Sequence, residues 1–142
     1  MTRSILKILA ILLALAVVVL ALMQFVRPSV INNNPPVVRQ PAWTDPQAEA
    51  LARRACYDCH SNETQWPWYA QVAPVSWLLA RDVVEGRRNL NFSEWRGAEP
   101  GELQEVVMEG EMPPAIYLLM HPSARLTTSE KKVLAQGLAA LK

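Results

Sequence analysis

The sequence predicts an all-α fold, with a small helical domain behind an N-terminal transmembrane helix. Three observations carry this. Every residue from Ile8 to Met23 is apolar, and a stretch dense in proline and asparagine follows it. Beyond that stretch apolar residues recur at helical spacing, and no alternating run is long enough for a strand. Setting the first apolar stretch aside leaves roughly 100 residues to build a core, the size of one domain. A domain so small buries a modest share of its surface and gains from a metal, a disulfide or a large cofactor at its centre.

The elements follow in order. With Ile5, Leu6, Phe25 and Val26 around it, the first apolar run reaches the length of about 20 residues that crosses a bilayer as a helix. Arg3 and Lys7 precede it and only Arg27 follows, so the positive-inside rule places the N-terminus in the cytoplasm and exports the remainder. Ala14-Leu15-Ala16 has the form of a signal-peptidase site, the alternative to an anchor, but cleavage there would cut the apolar run in half. Residues 1–27 are therefore expected as a transmembrane anchor or uncleaved signal. Residues 28–42, with Asn32-Asn33-Asn34, Pro35-Pro36 and Pro41, are expected as a stiff, extended spacer that stands the domain off the membrane.

The domain then occupies residues 43–142. Asp45-Pro46 predicts an N-cap and first helical residue, with Ala48, Leu51, Ala52 and Ala55 on one face. That helix is expected to end in Cys56-Tyr57-Asp58-Cys59-His60. A second helix is expected from Pro74 to about Arg88, a third from Pro100 to Glu109, and a short one from Ala115 to Leu119. Thr127-Thr128-Ser129-Glu130 has the capping-box form and opens the last helix, which carries Leu134, Gly137, Leu138 and Leu141 on one side.

The formal charge is +1 at pH 7. Arg3, Lys7 and Arg27 flank the apolar segment, so what remains is net acidic and carries no lysine or arginine run. Nucleic acid is excluded as a partner on that ground.

Cys56 and Cys59 are the only cysteines in the chain, and with His60 they form Cys-x-x-Cys-His, the attachment signature of c-type haem. Two thiols three residues apart lie on one side of a helical turn, where each can form a thioether with a haem vinyl group. The adjacent imidazole then reaches the iron. A redox dithiol would call for strand–helix–strand alternation around the pair, and the pattern shows none. Zinc would need four ligands, completed from the remote His121 without a second paired knuckle.

A second axial ligand must come from Met108, Met112, Met120 or His121, or from a partner chain. Met112 stands in Gly110-Glu111-Met112-Pro113-Pro114, a loop that two prolines stiffen, and is the first choice, with His121 next. Trp66, Trp68, Tyr69 and Trp77 are candidates to wall the haem, or else fill the core. Arg81, Arg87 and Arg88 are candidates to pair with its propionates, or else face water.

Cys56-Tyr57-Asp58-Cys59-His60-Ser61-Asn62-Glu63-Thr64, Trp66-Pro67-Trp68-Tyr69, Ala73-Pro74-Val75-Ser76-Trp77, Asn91-Phe92-Ser93-Glu94-Trp95 and Gly110-Glu111-Met112-Pro113-Pro114 together resemble the haem-binding domain family of cytochrome c-like, membrane-anchored bacterial proteins. The resemblance covers nearly all of the chain after the proline-rich stretch. It implies a cytochrome c-like all-α fold, one covalent haem c per chain on Cys56 and Cys59, His60 as proximal ligand, and an exported location. In a bacterium that means the inner membrane, with the domain on the periplasmic side.

The function these readings predict is a membrane-anchored mono-haem electron carrier that exchanges electrons with a redox protein or a membrane respiratory complex. The alternative, from a different class, is a haem sensor or small-ligand-binding module with an open or displaceable distal position. An enzyme is not expected. A peroxidase-like activity would want a distal acid–base histidine, and His121 is the only one on offer.

Overall fold

The computed structural model describes residues 2–98 and 101–141. All regular elements among the described residues are helical, beside one isolated parallel bridge between Arg39 and Glu94. The described residues divide into two compact units, one formed by Met1–Asn33 with Trp66–Arg81 and the other by Asn34–Gln65 with Asp82–Lys142. These boundaries differ from the anchor, spacer and domain expected above, because irregular segments and half of one helix join different units.

In the first unit, α1 (Thr2–Met23) is long and apolar enough to cross a membrane, and none of its span is buried against protein. Its 22 residues rise about 33 Å at roughly 1.5 Å each, against about 30 Å of hydrocarbon in a bilayer. The helix tightens as it ends, with the N–H groups of Gln24, Phe25 and Val26 donating to Ala21, Leu22 and Met23 at 3.2, 3.1 and 3.1 Å. The same unit contains a single 3₁₀ turn, Trp68–Gln71, and the start of α4 (Val75–Asn89). The side chain of Gln24 clamps the backbone of Ala73, donating from Nε2 to its carbonyl at 3.1 Å and accepting from its N–H at 3.0 Å.

The second unit holds α2 (Pro46–Ala55), α3 (Tyr57–His60), the end of α4, α5 (Glu102–Glu109), α6 (Ala115–Met120) and α7 (Thr128–Ala139). The caps behave as the sequence predicts. Asp45 accepts from Gln47 N–H at 2.8 Å with Pro46 in the first turn, and Thr127 and Glu130 form the reciprocal capping box. The expected start of the third helix at Pro100 lies outside the described residues, and α5 is described from Glu102. Helix α7 packs on α2 and on α5. At its crossing with α2, a Cβ on Gly137 would collide with the Cβ of Ala48, so glycine sets how closely the two helices approach.

The core comprises Leu51, Ala52, Ala55, Val107, Leu134 and Leu138 around an aromatic cluster. Phe92 is 5.0 Å from Tyr57, 5.9 Å from Trp43 and 5.9 Å from Trp95, against which it stacks. Offset and tilted ring pairs of this kind add to the burial of their area.

Residues 34–42 are not a free-standing spacer. Asn34 Nδ2 donates to Thr64 O at 2.9 Å, Pro36 O accepts from Asn62 Nδ2 at 2.9 Å, and the N–H groups of Val38 and Arg39 both reach Ser93 O, at 2.9 and 3.0 Å. Proline prevents helix formation here, and the segment pairs with the 61–64 and 91–95 loops instead, Thr64 O and Ser93 O accepting from it while Asn62 Nδ2 donates to it.

Candidate functional site

The Cys-x-x-Cys-His stretch does not continue α2. Cys56 interrupts the helix at φ −124° and ψ −35°, and α3 begins a new turn. The interruption is bridged by hydrogen bonds. Cys56 N–H donates to Ala52 O at 2.8 Å, and Cys56 O accepts from Cys59 N–H at 3.2 Å and His60 N–H at 2.9 Å. A four-residue turn cannot satisfy its own last carbonyls, and hydroxyls do so. Ser61 Oγ donates to Tyr57 O at 2.7 Å and Thr64 Oγ1 to Asp58 O at 2.8 Å. Arg87 secures the following loop, donating to Ser61 O at 2.8 Å and to Thr64 Oγ1 at 2.9 Å.

Gly86, in the last turn of α4, sits against the motif. A Cβ there would stand 2.5 Å from Cys59 O, so only glycine permits this approach of backbone to backbone. The approach positions the histidine: His60 Nδ1 lies 3.0 Å from Gly86 O and 3.2 Å from Leu90 O. Carbonyls can only accept, so Nδ1 carries the proton and donates, and a neutral ring keeps its Nε2 lone pair for a metal. Burial pushes the His60 pKa below its ordinary 6.5 against the opposing pull of the bonds to Leu90 and Gly86, which favours that neutral ring.

Cys56, His60 and Met112 line one cavity of about 560 Å³, within the roughly 300–1,000 Å³ of small-molecule sites. Its walls are apolar, from Leu90, Phe92, Leu103, Val106 and Leu138, with Arg96 and Glu102 as charged members. Met112 is placed by the end of α5. Gly110 turns the chain at φ +83°, and Val106 O then accepts from Gly110, Glu111 and Met112 N–H groups in succession, the last two at 3.0 and 3.2 Å. The other distal candidates do not line this cavity. Met108 and Met120 are exposed on α5 and α6, and the His121 ring stacks on Tyr117 with centroids 4.1 Å apart. Tyr117 in turn donates to Asp58 Oδ2 at 2.8 Å, tying α6 to the Cys-x-x-Cys-His stretch.

The structure places the remaining candidates as follows. Trp66, Trp68, Tyr69 and Trp77 belong to the first unit and are not among the cavity's lining, whose aromatic member is Phe92. Of the arginines, Arg96 lines the cavity, while Arg87 is committed to the 61–64 loop and Arg81 falls in the first unit. Cys59 is not a lining residue of the cavity; it packs where α3 meets Gly86. Burial raises both thiols, Cys56 to about 12 and Cys59 to about 11, with the neighbouring Cys59 adding to the first and Asp58 and Asp82 to the second. Such thiols are protonated at neutral pH, unlike the low-pKa pair of a redox dithiol. Among the described residues, no group of three or more His, Cys, Asp or Glu side chains is placed to hold a metal ion.

The sequence profile of a haem-binding domain matches residues 18–140. The chain belongs to the haem-binding domain family. No curated protein and no solved structure matches it. Within the matched residues, the second unit has groups that fit a haem: an imidazole with Nε2 available, a thioether on the same cavity, and apolar walls for a flat macrocycle.

Proposed function

We propose that the protein is a membrane-anchored mono-haem c-type cytochrome that carries one electron at a time. The observation that carries this reading is the meeting of Cys56, His60 and Met112 on one cavity while His60 Nδ1 is held by two carbonyls. In it Cys56 and Cys59 would hold the haem c by thioether bonds, and His60 Nε2 and Met112 Sδ would bind its iron. Bound haem supplies an iron that changes oxidation state by one electron. The chain supplies the rest. The carbonyls of Gly86 and Leu90 fix the imidazole, Val106 O fixes the backbone of Met112, and Leu90, Phe92 and Val106 exclude water. Thioether and imidazole together as iron ligands would raise the potential, which suits a carrier toward the oxidising end of a chain.

Helix α1 is the anchor in this reading, in a bacterial inner membrane, with Arg3 and Lys7 on the cytoplasmic side and the haem unit in the periplasm. Its partners are a redox protein or a membrane respiratory complex, and the protein is a carrier rather than an enzyme. The sensor alternative draws support from Met112 being 36% exposed, which makes it displaceable. Intact mass of the protein denatured after maturation with haem-attachment machinery tests covalent attachment. The expected mass is that of the chain plus one haem, and Cys56→Ala with Cys59→Ala removes the addition. Haem that extracts from the native sequence into acid butanone would refute it.

A further inference from the structure

We propose that residues 66–78 are a membrane-interface belt at the C-terminal end of α1, with the lipid headgroup and upper acyl region as their partner. This rests on α1 crossing the membrane, and it assigns a role to the aromatic residues that the haem cavity leaves out.

Gln24 is the first polar residue after the unbroken apolar run Ile8–Met23, so the bilayer surface falls at about Gln24 to Arg27. At that level the chain is joined to the 66–81 segment within one unit. Gln24 makes two hydrogen bonds to Ala73, at 3.0 and 3.1 Å, and Trp77 Nε1 donates to Val26 O at 2.8 Å. The depth of the segment is therefore set by the end of α1.

Its chemistry suits that depth. No charged residue occurs from Thr64 to Ala80, a stretch that contains Trp66, Trp68, Tyr69 and Trp77. Tryptophan and tyrosine collect at membrane–water boundaries, where the ring body is apolar and its polar tip still finds a partner. Trp68 is 76% exposed and meets Tyr69 edge-on at 5.8 Å, while Val72, Val75 and Leu78 are also open, as are Phe25 and Val26 beside them. A cluster of exposed apolar side chains signals an interaction surface. Where it continues directly from a lipid-facing helix, the lipid is its cover.

The test uses the full-length, haem-loaded protein in phosphatidylcholine/phosphatidylglycerol nanodiscs containing a phospholipid with a diazirine in its acyl chain. Photolysis and peptide mass spectrometry map the adducts. Adducts are expected on α1 and on residues 66–78, the latter several-fold above those on α7. Trp68→Gln, at a side chain that faces outward, is expected to lower labelling of 66–78 and leave α1 labelling unchanged. Labelling of α1 with residues 66–78 at the α7 level would overturn the belt and leave the anchor standing. Absence of adducts on α1 would overturn the anchor, and the belt with it.

Discussion

Replacing Gly86 with alanine probes the contact that sets the histidine. The added Cβ would stand 2.5 Å from Cys59 O and 3.0 Å from Cys59 C, and both neighbours are backbone, so neither can swing aside. α3 and α4 must part by at least half an ångström to bring the closer contact to 3.0 Å. Overpacking of this kind costs about 1–3 kcal/mol, whereas alanine in a helix interior is favoured over glycine by roughly 0.5–1 kcal/mol. The steric term wins, for a net loss of about 1–2 kcal/mol. In a domain of roughly 100 residues that lowers the midpoint of thermal unfolding by about 4–16 °C.

The displacement also lengthens the bonds from His60 Nδ1 to Gly86 O and Leu90 O, now 3.0 and 3.2 Å. Circular dichroism of the detergent-solubilised protein measures the first effect, and the absorption spectrum and potential of the haem measure the second. Gly137→Ala separates them: it crowds Ala48 at the α2–α7 crossing, so it should lower the midpoint while the haem spectrum stays as in the parent. A Gly86→Ala protein with unchanged or higher midpoint and an unchanged spectrum would refute the close approach and what is built on it.

Two further predictions follow from the same geometry. Gly110→Ala must adopt φ +83° with a side chain, at a cost of about 1–2 kcal/mol. It should loosen the Val106-centred turn, so the reduced protein binds carbon monoxide faster than the parent, measured by the shift of its Soret band. Glu130 is held at a pKa of about 2, below its ordinary 4.5, first by Thr127 N–H and then by Arg54 and the Thr127 hydroxyl. A depressed carboxylate contributes stability that is present above its unfolded value and is lost as pH falls through 4.5 toward about 2. Glu130→Gln should therefore flatten the acid limb of the midpoint-against-pH curve in that window, measured by thermal scans at stepped pH.

What was legible in the sequence was local. Asp45-Pro46 and the Thr127–Glu130 box mark helix starts because a cap needs only residues within one turn, and both appear as predicted. Cys-x-x-Cys-His carries its chemistry in five adjacent residues, and the proline-stiffened loop singled out Met112, which the fold brings to the cavity of Cys56 and His60. What escaped depends on contacts between segments distant in the chain. The Trp-Pro-Trp-Tyr run announces large flat side chains but not which surface they cover, and it falls in the unit of α1. Gly86 resembles a helix-ending glycine until Cys59 is seen against it, 27 residues away. Asn34 to Pro41 lacks any periodic pattern, and only its bonds to Asn62, Thr64 and Ser93 show that it belongs to the second unit. Ser61 and Thr64 stood within the family resemblance, yet their task of closing the carbonyls of α3 emerges only where that short turn ends.

The proposed ligation of haem iron by His60 and Met112 is tested most directly by near-infrared and visible absorption of the oxidised protein, compared among the parent, Met112→Ala and His121→Ala. The account predicts a weak near-infrared sulfur-to-iron charge-transfer band in the parent and in His121→Ala. It predicts loss of that band in Met112→Ala, with a lower potential and rapid carbon monoxide binding on reduction. A spectrum and potential unchanged in Met112→Ala, with conversion to high spin in His121→Ala, would contradict it and assign the distal position to His121.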